Sequence, residues 1–175
     1  MVEITHRDTG AVIATVNVAS LAGADLAGAD LAWANLIGAD LSGADLRGAN
    51  LARAILFGAD FRGSNLAEAD LTEIRADVFA VLSRARNEVA GLRLAVVEGR
   101  INGRAYAGKC ACLVGTIAIL QGCEYRHVPG IPIDDTRPAE RFVTGIRKGD
   151  TPETNPVSAI VLGWIDEFTA LPTAQ

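Results

Sequence analysis

A large apolar side chain recurs every five residues across the first half of this chain. Leu21, Leu26, Leu31, Leu36, Leu41, Leu46, Leu51, Leu56, Phe61, Leu66 and Leu71 hold that register without a break. Two positions earlier the residue is Ala in every unit except one, where it is Ser64. The position between is Asp or Asn in all units but those of Ser20 and Ile55. A period of five is neither that of an α-helix, 3.6, nor that of a strand, 2. A fixed internal period marks a repeat architecture, in which each unit buries its apolar face only by stacking on the next. Composition agrees, because the chain is 50% hydrophobic yet only 5% aromatic. Its interior must therefore be filled by many small and medium side chains.

The units follow the pattern Ala-(Asp/Asn)-Leu-x-x, and residues 19–73 resemble the pentapeptide-repeat family. The resemblance implies a mainly β solenoid with added α structure. Its core would be a right-handed quadrilateral β-helix of about three coils, with one pentapeptide per face and four per coil. Leu and the preceding small residue would point inward. Glycines such as Gly23 and Gly43 would sit at corners, where a positive φ is needed. Residues twenty apart would then stack. The outward carboxylates would form the columns Asp40–Asp60, Asp25–Asp45 and Asp30–Asp70, with Asn50 and Asn65 completing the last two. The fourth face departs from the pattern, with Ile37, Ile55 and Phe57 giving an apolar outer surface. Such a surface is either covered or sticky, and the C-terminal region is the expected cover. Trp33 and Arg53, also twenty apart, are expected to form a cation–π stack.

A short solenoid needs caps. Residues 1–18 read as a β-hairpin cap, turning at Arg7-Asp8-Thr9-Gly10. Beyond residue 73 the five-residue period stops. Ile74, Val78, Val81, Leu82 and Val89 follow helical spacing, and residues 74–175 read as an α-helical domain. Within it, helices are expected from about 89 to 98, over the apolar stretch 106–122, from Pro138 to about Arg147, and after Asn155-Pro156, a good cap and first-turn pair.

The net charge is −5. Residues 19–73 carry six Asp and two Glu against Arg47, Arg53 and Arg62, so the acidity belongs to the repeats. Direct nucleic-acid binding by bulk electrostatics is not expected of such a chain. No apolar run is long enough for a bilayer, and no membrane partner is expected. The N-terminus lacks a signal-peptide pattern and the three cysteines give no disulfide framework, so a cytoplasmic location is the expectation.

Two constellations invite a chemical reading. Cys110, Cys112, Cys123 and His127 have zinc-ligand chemistry, but C-x-C on a helix turns its thiols about 200° apart. Cys110 after Gly108-Lys109, with His127 and Asp134 or Asp135, has the order of a thiol catalytic set. The simpler reading is a group of small buried hydrophobes. Accordingly no metal, cofactor or catalytic residue is expected. Asp and Asn also suit tight turns for local reasons. Resemblance to the Qnr and MfpA-type members implies a further role, the imitation of DNA phosphates by a rigid acidic surface. The expected function is a non-enzymatic module whose carboxylates Asp25, Asp30, Asp40, Asp45, Asp60 and Asp70 bind a protein partner such as a DNA-binding enzyme. The alternatives are an assembly scaffold that docks or homo-oligomerises through its helical domain, and a Cys110-dependent enzyme.

Overall fold

The computed structural model describes residues 1–103, 112–124, 128–131, 134 and 136–172. A hairpin of β1 (Val2–Thr5) and β2 (Val12–Val16) comes first, antiparallel, with Glu3 opposite Thr15. The repeats follow. They lead directly into α1 (Thr72–Arg84), one 3₁₀ turn (Arg86–Glu88), α2 (Val89–Val97), α3 (Leu113–Gln121), α4 (Pro138–Val143) and α5 (Pro156–Ala170).

The expectation of a mainly β solenoid, a right-handed quadrilateral β-helix of about three coils, is corrected by this architecture. Among the described residues the strands are β1 and β2 alone, in one small sheet, and the regular structure is otherwise five α-helices and the one 3₁₀ turn. The repeats form turns joined by isolated bridges of one residue each, such as Asp25 with Asp45 and Asn35 with Ile55. The cause lies in the period. Within each unit the Leu carbonyl accepts from the N–H three residues on, as from Leu21 to Ala24 at 3.1 Å. Between layers the N–H groups of the Asp or Asn, Leu and Gly positions all donate, as Asp45 to Ala24, Leu26 to Asp45 and Gly23 to Ser42, but the turn in every unit interrupts them. Ladders of consecutive residues therefore cannot form.

Stacking is nonetheless regular. The Asp45 N–H donates to the Ala24 carbonyl at 2.9 Å, and its carbonyl accepts from the Leu26 N–H at 2.8 Å. The same exchange recurs from Asn50 to Asn65. The third residue of each turn has positive φ, which is why glycine fills it at Gly23, Gly43 and their equivalents. Trp33, Arg53 and Glu68 take that conformation without being glycine. All eleven apolar positions from Leu21 to Leu71 are buried. Ser64, the one departure from Ala, spends its hydroxyl on the Phe61 carbonyl at 2.7 Å.

The hairpin closes the first turn layer. His6 bridges Ala34, the Asn35 N–H donates to the Thr5 carbonyl at 2.8 Å, and Ile4 is 2% exposed over the interior. The helices close the other end. Phe61 faces Phe142 with ring centroids 6.2 Å apart, and Phe142 faces Trp164 at 5.7 Å. One apolar core runs from Ile4 through the repeats to Phe168.

Carboxylates also cap helices belonging to other elements. Asp77 on α1 accepts from the Ala139 N–H at the start of α4, at 3.0 Å. Glu140 on α4 accepts from the Val114 N–H at the start of α3, at 2.9 Å. Asn155 caps α5 from within, accepting from the Val157 and Ser158 N–H groups, as its sequence signal indicates.

Candidate partner-binding surface

The acidic surface begins as turn chemistry. In ten units, from Ser20 to Asp70, a side-chain oxygen accepts a hydrogen bond from the backbone N–H two residues on. The oxygen of an Asp, an Asn or a Ser serves equally. The bond alone therefore does not require a charge at any of these positions.

What the charges do depends on their neighbours. Asp45 is held by Arg47, with Nη2 to Oδ2 at 2.6 Å. Asp60 is held by Arg62 at 2.6 Å and by Arg147, from the loop after α4, at 2.7 Å. The Asp60 side chain is 12% exposed, and its hydrogen bonds from Arg62 lead the effects that draw its carboxyl down to about 2. Asp40 and Asp70 are lowered chiefly by Ser42 and Thr72, which are neutral partners. Asp30 accepts from the Asn50 amide at 3.0 Å. Among the described residues Asp25, Asp30, Asp40 and Asp70 thus stand without an ion pair, and the uncompensated charge of the six comes from them. Sequence reasoning placed all six carboxylates in one set. The structure divides them, with Asp45 and Asp60 neutralised. The local signal for that division was an Arg two residues after the Asp in both cases. Arg147, 87 residues from Asp60, had no signal.

The apolar outer face is partly covered. Ile37 is 55% exposed, Phe57 is 38% exposed and Ile55 is half-buried. The C-terminal region reaches this face beside Phe57, where the Gly58 N–H donates to the Thr144 hydroxyl at 2.6 Å.

The corner column is more elaborate than its two-residue signal. The Arg53 guanidinium lies 4.7 Å from the centre of the Trp33 ring, and that ring also stacks on His6 at 5.7 Å. Arg53 continues to Glu73, twenty residues further, at 3.0 Å. Beside it a cleft of about 420 Å³ is lined by Arg7, Arg53, Arg141, Asp70 and Glu73, so both signs of charge meet there.

Cys110, His127 and Asp135 lie outside the described residues. Cys112 is buried at the start of α3, where its sulfur accepts from the Gly115 N–H at 3.3 Å, and Cys123 is half-buried. Among the described residues no cluster of His, Cys, Asp and Glu could hold a metal ion. None of the described helices is long and apolar enough to cross a membrane.

The family model described as Pentapeptide repeats (8 copies) matches residues 19–53 and 54–75. These residues are a pentapeptide-repeat segment. Such repeats make a protein-interaction module and are generally non-enzymatic. Searches of curated proteins and of solved structures returned no match.

Proposed function

We infer that this pentapeptide-repeat chain is a non-enzymatic binding module whose acidic surface engages a basic site on a protein partner. The finer reading is that it competes with DNA for a nucleic-acid-binding protein, such as a topoisomerase or a defence enzyme. The observation that carries it is the set of exposed carboxylates Asp25, Asp30, Asp40 and Asp70, which make no ion pair among the described residues, on a hydrogen-bonded backbone. Each Asx hydrogen bond ties its carboxylate to the backbone, so little orientational freedom is lost when a partner docks. A basic groove that evolved to hold phosphates meets negative charges already in place, which favours encounter and register.

The test is displacement of duplex DNA from a purified type II topoisomerase by this protein, followed by fluorescence anisotropy over a salt series. The proposal expects displacement that weakens steeply with salt. Failure to displace DNA at any salt concentration would sink the DNA-competition reading.

A further inference from the structure

We propose that β2 is a self-association edge, pairing antiparallel with β2 of a second copy of this chain about a two-fold axis at Thr15. This inference does not depend on the acidic surface.

The hairpin extends a face of the repeats. Ile55 pairs with the layer of Ala34 to Leu36, Asn35 and Trp33 pair with Thr5 and Arg7, and β1 pairs with β2. There the hydrogen bonding stops. Among the described residues the outer edge of β2 has no strand beside it. A strand edge carries a row of N–H and C=O groups able to template another strand, and monomeric proteins guard such edges with Lys, Pro or bulges. Residues 11–18, Ala-Val-Ile-Ala-Thr-Val-Asn-Val, contain no charge and no Pro. The hairpin register does shift at Ile13, since Ile4 faces Ala14 while Thr5 faces Val12. The shift leaves Ala14 to Val16 regular, and that is the part the proposed pairing uses.

The strand's own sequence argues for a second copy as its occupant. Turned antiparallel about Thr15, it places Thr15 against Thr15, Ala14 against Val16 and Ile13 against Asn17. Thr–Thr pairs across strands are favourable, and no like charges oppose one another. Ala14 and Val16 are half-buried against the core, so the inner face of the new pair would continue it. Thr15 and Ile13 are exposed and would meet Thr15 and Asn17 of the second copy on the outer face. A foreign strand would find no charge on β2 by which to be selected. A five-residue edge is much smaller than a standard interface of about 1,600 Å², so the association is expected to be weak and concentration-dependent.

The experiment is sedimentation equilibrium of the full chain over a concentration series reaching about 1 mM. Wild type should pass from monomer to dimer. Thr15→Lys should shift the transition to severalfold higher concentration while retaining the wild-type circular dichroism, since Glu3 lies opposite it. Thr15→Val, which keeps the β-branched shape, should still dimerise. An equimolar mixture of Thr15→Lys with Thr15→Glu should recover association that Thr15→Lys alone has lost. Wild type that stays monomeric throughout, or a dimer unaffected by Thr15→Lys, would overturn the proposal. Thr15→Val separates loss of the hairpin from loss of pairing.

Discussion

At the scale of single residues, the third position of each turn shows how sequence and backbone trade against one another. Arg53 has φ +59°, a conformation that disfavours residues with a Cβ by about 1–2 kcal/mol. Its stack on Trp33 returns about 0.5–1 kcal/mol. Arg53→Gly should therefore leave stability within about 0.5 kcal/mol of wild type. Arg53→Ala, which keeps the strain and loses the stack, should fall about 1 kcal/mol below Arg53→Gly in urea unfolding. The interior positions obey a simpler rule. Leu46 is fully buried, so Leu46→Ala should lose about 3 kcal/mol. Leu46→Asp would bury a carboxylate with no partner and should not fold. Both the interior register and the Trp33–Arg53 stack were legible, because a period of five with a twenty-residue offset fixes which side chains meet. The continuation to Glu73 keeps the same twenty-residue offset but was not expected, since it is made from α1, where the turns have given way to a helix.

Between elements, charge placement sets how stability responds to pH. Asp60 sits in a clamp made by Arg62 and Arg147, which joins the repeats to the loop after α4. Its folded pKa is lowered from 3.8 to about 2. The stability it contributes is present above pH 3.8 and is lost as pH falls toward about 2. Asp60→Asn should be less stable than wild type at neutral pH, and the two should converge near pH 2 in denaturant titrations. Glu140 behaves in the opposite sense. Burial raises its carboxyl above 4.5, so its favourable contribution is complete below that pH and is lost as pH rises through the folded value. Glu140→Gln keeps an acceptor for the Val114 N–H and should remove that decline. The cap of α5 was readable from Asn155-Pro156, where both signals are local. Asn155→Ala also loses the bond to the Gly145 carbonyl and should cost about 2 kcal/mol. The clamp and the caps of α3 and α4 were not readable, since their partners are 26 to 87 residues apart in the chain. The expected solenoid failed for a local reason. A turn in every unit breaks the pairing between layers into bridges of one residue, and a side-chain period does not reveal that interruption.

Across the whole molecule, the hairpin, repeats and helices share one core, and the acidic surface is carried on that single body. Its charge was legible as composition, but its division into paired and unpaired carboxylates was not, because pairing depends on neighbours such as Arg147. Screened surface charges contribute little one at a time, so single Asp→Asn changes should leave partner binding nearly unaltered. Acting together on a fixed frame they form one field. The most direct measurement is the DNA-displacement titration repeated with Asp25, Asp30, Asp40 and Asp70 all changed to Asn. Asn35, Asn50 and Asn65 already make the same turn bond, so the variant should retain its melting curve. It should also lose displacement and its dependence on salt. If the folded quadruple variant displaces DNA as well as wild type does, the carboxylates serve the turns alone and the acidic surface is not the binding site.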